Sequence, residues 1–151
     1  MPTLTVIPGD PEDPPVTALL HASHALMESL FPSEANNYLS IDALLAPNIR
    51  FFKGCMNEEP KGCGALKIDA TYGELKSMFV AEDARGTGLA DAILERLEEE
   101  ARTHNLTLLK LETGTLLHAA HKLYARHGYR LCSHFGTYLD TEYSLYMEKD
   151  L

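Results

Sequence analysis

The residues Arg85–Gly86–Thr87–Gly88–Leu89–Ala90 stand where a strand-like run, Glu74 to Val80, gives way to a helical repeat, and their types suit an anion. Glycines let the main chain approach a phosphate, the first turn of a helix leaves N–H groups unpaired, and the helix dipole and Arg85 pull the same way. On physics alone the segment is either a phosphate cradle or a tight turn. The dinucleotide fingerprint does not fit, because a third glycine is missing and five residues separate Val80 from Gly86. A P-loop fails for want of Gly-Lys-Ser/Thr. His21 with His24, and His118 with His121, are spaced to share a metal, yet neither pair has a third ligand at a fitting distance, so no metal is expected. Three cysteines without a CxxC read as free thiols packed as small residues, although Cys55 and Cys63 flank a turn-forming NEEPKG segment and could face each other across a hairpin.

The elements that must position these residues follow from periodicity. LTVI reads as a first strand, stopped by GDPEDPP, and a helix then runs from Pro14–Val16 to Phe31 with Val16, Leu19, Leu20, Ser23, Met27 and Leu30 on one face. A second short helix is predicted from Ser33, a good cap, to about Leu45, before Pro47. Ile49–Cys55, Cys63–Ile68 and Glu74–Val80 form an antiparallel meander. Thr87 to about His104 is an amphipathic helix with Leu89, Ala90, Ile93, Leu94, Leu97 and Ala101 inward, and LTLLKLE (106–112) completes a strand–helix–strand crossover whose two strands should be parallel. A helix from about Thr115 to His127 stops at Gly128, a left-handed cap. The remainder alternates and should supply two closing strands around a turn near Asp140.

In that context the glycine segment resembles motif A of the GCN5-related N-acetyltransferases (GNAT), [QR]xxGx[GA], met by Arg85, Gly88 and Ala90. LYARHGY is similar to the family's LYxxxGF signature at Leu123, Tyr124, Gly128 and Tyr129. GCGALK, ELKSM, LETG and a late FGxY resemble a branch of small bacterial acetyltransferases that includes the YsnE-type proteins. The resemblance implies an α/β fold: a mixed, mostly antiparallel sheet of six or seven strands, a parallel splayed pair and about four flanking helices, in one domain spanning 1–151. It implies acetyl-CoA as acyl donor, its pyrophosphate on the amides of Arg85, Gly86, Thr87, Gly88, Leu89 and Ala90, and its pantetheine arm along Met78, Phe79 and Val80 like an added strand. Leu117 departs from the family, where an asparagine often stands.

Acyl transfer from a thioester to an amine needs a neutral amine, stabilisation of an oxyanion, and a proton for the leaving thiolate. An alkylamine of pKa about 10.4 is almost wholly protonated at neutral pH, so a carboxylate must take its proton. The resemblance implies Glu74, eleven residues before Arg85, as that base; the plainer reading is a pair with Lys76. It implies Tyr124 as the acid for the thiolate, against a purely packed tyrosine, and a main-chain N–H near Phe79 for the oxyanion. The acceptor would draw on Phe31, Glu34, Asn37, Tyr38, Phe135 and Tyr138, with Lys67 or Lys76 available to an acceptor carboxylate, while His118 and His121 could line the cofactor groove.

Net charge is −9, from 13 Lys+Arg against 22 Asp+Glu, and no basic cluster exists, which argues against nucleic acid as a partner. No apolar run approaches a membrane span, and the first residues lack signal-peptide character, so a cytoplasmic protein is expected. The function expected is N-acetylation of the primary amine of a small molecule, an amino acid or related metabolite. A non-catalytic acetyl-CoA-binding module and a peptide or protein N-acetyltransferase are the alternatives. A homodimer fits the resemblance.

Overall fold

The computed structural model describes all residues, 1–151. Its elements are β1 (Leu4–Pro8), α1 (Pro14–Leu30), β2 (Ile49–Met56), β3 (Glu59–Ile68), β4 (Gly73–Val80), α2 (Leu89–Thr103), β5 (Leu108–Gly114), α3 (His118–Arg126), β6 (Arg130–Cys132) and β7 (Ser144–Asp150). The strands form one sheet in the order β1-β2-β3-β4-β5-β7-β6. Every neighbouring pair is antiparallel except β4 and β5, which run parallel as a crossover through α2 requires. That parallel ladder is short. It joins Gly73, Glu74 and Leu75 to Leu109, Lys110 and Leu111 and then stops, so the two strands part beyond Leu75.

Two helices' worth of apolar side chains divide the core between the faces. On one face α2 and α3 bury Leu89, Ile93, Leu94, Leu97, Ala101, Leu123 and Tyr124 against Leu66, Leu75, Leu109 and Leu111. Each fully buried leucine or isoleucine contributes about 1.5–3 kcal/mol. On the other, Val16 and Leu20 of α1 meet Phe51, Cys63 and Ala65, with Leu44 beside them. This second core covers only the β2–β3 side. Across the rest of that face the registers set charges of alternating sign side by side: Lys67 opposite Glu74, Glu74 opposite Lys110, Lys110 opposite Glu148, and Glu148 opposite Arg130. Lys110 and Arg130 reach Glu148 at 2.8 and 2.7 Å. A sheet face carrying such a row is built for polar contact rather than for a packed helix.

Three sequence expectations are corrected. Residues 33–45 are not one helix but two 3-10 turns, Ser33–Ala35 and Ala43–Leu45, with extended chain between them. Asn36, Asn37, Ser40 and Asp42 favour turns, the Ser40 hydroxyl accepts the Ala43 N–H at 3.1 Å, and Leu39 and Ile41 pack on the α1-side core at a spacing of two that no helix face supplies. The third long helix starts at His118 rather than Thr115, because Thr115 still continues the β5–β7 pairing through the Tyr143 carbonyl at 2.9 Å and Leu117, at φ −89° and ψ 66°, is outside the helical region. The closing strands are unequal: β6 has three residues, and 133–143 forms a loop folded back over the charged face. The fold accordingly has three α-helices rather than four. No helix is long and apolar enough to cross a membrane. Cys55 and Cys63 do not face each other, since Cys55 pairs with Pro60 and Cys63 with Lys53, and all three thiols are free.

Candidate functional site

A bulge sharpens the parting of β4 from β5. Cys63 pairs with Phe79 but Ala65 pairs with Lys76, so β4 carries an extra residue here, and Ser77 adopts φ +57°. The Cys63 thiol donates to the Ser77 carbonyl at 3.2 Å, while the buried Ser77 hydroxyl has no partner. Met78, Phe79 and Val80 follow the bulge, their edge towards β5 unpaired.

The gap is a cleft of about 760 Å³ that passes through the sheet. Ser23 and Met27 of α1 and Phe31 just after it line it on one side, and Leu117 just before α3 with Ala120 and Tyr124 of α3 on the other. Leu117, where the family often has asparagine, adds an apolar wall. Phe31 lies over Gly114 so closely that a Cβ there would come within 2.3 Å of its ring, which explains a glycine at the end of β5. Glu112 of β5 also lines the cleft. Burial raises its carboxyl above the usual range, opposed by a hydrogen bond from Ser144, at 2.8 Å, by the Lys76 charge and by the Asn37 side chain. Tyr124 is buried, and burial together with the Glu112 charge pushes its phenol well above the ordinary value, so it holds its proton.

At the far end of β4, Gly86 and Gly88 take φ +75° and +88°, and α2 begins on Gly88. None of the amides from Gly86 to Asp91 donates to an acceptor within the chain, and a Cβ on Gly86 would meet nothing within 4 Å. Asp91, in the first turn of α2, would oppose an anion if left alone. Burial pushes its carboxyl up, but hydrogen bonds from His127 at 2.8 Å and Arg126 at 2.7 Å outweigh that and hold it below the usual range, neutralised. Arg85 stays near the loop, its Nε 3.5 Å from the Val80 carbonyl. The residues present therefore suit a pyrophosphate.

A second hollow, about 1190 Å³ and open to solvent, adjoins the cleft on the α1 face and shares Ala35, Asn37 and Lys76 with it. Glu34, Lys67, Glu74 and Tyr138 line it. Glu74 and Lys76 are both buried, at 4% and 9% exposure, so neither is a loose surface charge. Lys76 Nζ donates to the Tyr138 hydroxyl at 2.6 Å and to the Asn37 carbonyl at 3.1 Å, and lies 3.4 Å from Glu74. Tyr138 donates in turn to Glu74 in a very short bond. Lys76 is thus fully engaged, whereas Lys67 forms no ion pair.

The expected acceptor residues separate accordingly. Phe31 and Tyr38 line the cleft, Glu34 and Tyr138 the outer hollow, and Asn37 both. Tyr38 is tied to Glu28 at 2.7 Å and stacks on His24. Phe135 lines neither space; it packs edge-on against Tyr72, Tyr138 and Tyr146. His118 lines neither, and His121 is bound to the Gly114 carbonyl at 2.8 Å. Glu112 is the residue sequence reasoning missed. Alternation along β5 places it beside Lys110, which reads as a solvent face; the signal was a carboxylate at the strand end, in LETG, one helix before Tyr124.

Residues 17–129 match the acetyltransferase (GNAT) family. The chain is 37% identical over 153 residues to an IAA acetyltransferase of Azospirillum brasilense, all of each chain being covered. It is 33% identical to the uncharacterized N-acetyltransferase YsnE of Bacillus subtilis, over 90% of this chain and 92% of that one. With the aminoalkylphosphonate N-acetyltransferase of Salmonella typhimurium it shares 30% identity over 80% and 89% of the two chains. Among solved structures, a protein described as an acyl-CoA N-acyltransferase from Klebsiella pneumoniae superposes with a TM-score of 0.81 at 33% identity, covering 100% of this chain and 98% of that one. The likeness in sequence and in fold extends over the full length of these relatives, and the chain, with its sheet parted at a bulged strand, belongs to the GNAT acetyltransferase family and is an acyltransferase.

Proposed function

We propose that this enzyme transfers the acetyl group of acetyl-CoA to the primary amine of a small molecule by direct attack. The observation that carries the reading is the cleft through the sheet, with a carboxyl group of raised proton affinity, Glu112, and a phenol that keeps its proton, Tyr124, on its walls. Acetyl-CoA supplies an acyl group activated as a thioester. The amides from Gly86 to Asp91, with Arg85 beside them, suit its pyrophosphate. The unpaired edge of β4 at Met78, Phe79 and Val80 suits an arm that binds like a strand, and an amide near Phe79 suits the oxyanion.

Glu112 is better placed than Glu74 to be the base. Its raised carboxyl is nearer in proton affinity to an ammonium, which favours transfer, and it faces the same space as Tyr124. Glu74 stands outside that cleft, engaged by Lys76 and Tyr138. Tyr124 provides the proton for the departing sulfur. The two steps reinforce each other: once Glu112 has taken the amine proton its charge is gone, and with it the repulsion that opposes ionisation of Tyr124.

The acceptor's remaining end would occupy the outer hollow, between Glu34, Asn37 and Tyr138. Lys67 is the cation there that no other group occupies, so it would receive an acid group. A relative that acts on aminoalkylphosphonates supports an acceptor of this size. Thiol release from acetyl-CoA, measured with amino acids, aminophosphonates, polyamines, aminoglycosides and peptide N-termini, tests the reading. Turnover of small amines is expected, with KM rising in Lys67→Ala for acceptors that bear an acid. Turnover of peptides alone would overturn the small-molecule acceptor.

A further inference from the structure

Glu74, Lys76 and Tyr138 are joined to one another on the wall of the outer hollow. Lys76 donates to the Tyr138 hydroxyl and the Asn37 carbonyl at 2.6 and 3.1 Å, and forms an ion pair with Glu74 at 3.4 Å. The three partners come from three separate pieces of chain: β4 itself, the loop 133–143, and the extended stretch after the first 3-10 turn. Both loops bordering the acceptor space are therefore fastened to one buried ammonium. Asn37 also brings the network to the cleft, because its carbonyl holds Lys76 while Asn37, Lys76 and Glu112 line the same space.

We propose that Lys76 is a positioning residue for the transfer reaction, with Glu74 as its counter-charge: together they close Asn37 and Tyr138 over the acceptor and set the charge field in which Glu112 works. This rests on Glu112 being the base. The field has a defined sign. Lys76 favours the Glu112 carboxylate, and Glu74 disfavours it. The other groups facing Glu112 are Ser144 and Tyr146 on β7, Asn37 beyond α1, Tyr138 on the loop and Tyr124 on α3. None of these carries a full charge at neutral pH, and Lys110, two residues away on the same face of β5, is paired with Glu148 at 2.8 Å, so Lys76 and Glu74 dominate the field.

The test is the pH profile of kcat/KM for Lys76→Met, Glu74→Gln, the double variant Glu74→Gln/Lys76→Met, Tyr138→Phe and Glu112→Gln, with folding followed by circular dichroism. Lys76→Met should move the acidic limb to higher pH, Glu74→Gln should move it to lower pH, each by about one unit, and the double variant should return it close to wild type. A role in packing alone would lower activity without such opposed shifts. The double variant carries no unpaired buried charge, so where Lys76→Met does not fold the Lys76 effect is read from Glu74→Gln to the double variant, between which the limb should rise. Tyr138→Phe should raise KM for the acceptor several-fold and leave the limb in place. An acidic limb that stays fixed in the single variants Lys76→Met and Glu74→Gln, or does not move between Glu74→Gln and the double variant where Lys76→Met is unfolded, while Glu112→Gln abolishes it, would overturn the proposal and leave Glu112 as base. A limb that persists in Glu112→Gln but vanishes in Glu74→Gln would overturn the base reading itself, and the proposal with it.

Discussion

Burial of Glu112 has opposite effects on chemistry and on stability. A carboxyl whose folded value lies above its unfolded one stabilises the fold below the unfolded value, and that contribution is lost as pH rises through the folded value. Ionised Glu112 is therefore a cost at neutral pH. Glu112→Gln should lower kcat by roughly 10²–10⁴, yet melt higher than wild type at about pH 8, with the gap closing towards about pH 4. Thermal scans across pH beside steady-state rates check both halves; equal melting at all pH would contradict the stated cost. Tyr124→Phe separates acid from packing residue. Its ring and apolar contacts survive, so Tm should hold while kcat falls about ten-fold or more, and less for an acyl donor with a more acidic thiol. Normal turnover would remove the acid role. Glu74 and Tyr124 could be picked from motif spacing, but whether Glu74 faces the cleft depends on Tyr138, sixty-four residues away in sequence, and local pattern does not encode that distance.

Among the elements, α2 shows how the sheet is shaped to receive a helix. A Cβ on Gly54, Gly62 or Gly64 would stand 2.8 or 2.9 Å from the Ile93 side chain, and on Gly64 also 2.7 Å from Met78 Sδ. Gly64→Ala should therefore destabilise by about 1–3 kcal/mol, read from denaturant unfolding, because the helix must lift from the bulged strand. The same helix start invites a different variant. Gly86→Glu, into open space, should weaken acetyl-CoA binding by about ten-fold or more through charge repulsion, with only the modest strain of a left-handed non-glycine residue, seen by calorimetry as lost heat in a folded protein. The helices α1 and α2 were legible because one face of each is buried, and strands β2 to β5 because short apolar runs, buried on both faces in β3, stand between turn-forming residues. The stretch 33–45 and the loop 133–143 were not, since their conformations are held by single hydrogen bonds and aromatic contacts with distant residues rather than by a repeating face.

Taken whole, the molecule is two half-sheets, β1 to β4 and β5 with β7 and β6, joined edge to edge by only three paired positions on each side. A donor bound between them would act as a clasp, adding about 2.7 kcal/mol to stability at a hundred times its Kd. Cys63, on β3 beneath α1, can time the loosening of the bulge beside that seam. Its thiol is fully buried and pushed up to about 12 by burial, and it is bonded to the bulge carbonyl of Ser77, so in the closed sheet it is both shielded and unionised. With the partly exposed Cys132 replaced by serine and the buried Cys55 by alanine, the rate at which an alkylating reagent reaches Cys63 becomes a stopwatch for native-state fluctuation, one that runs slower whenever a ligand holds the strands.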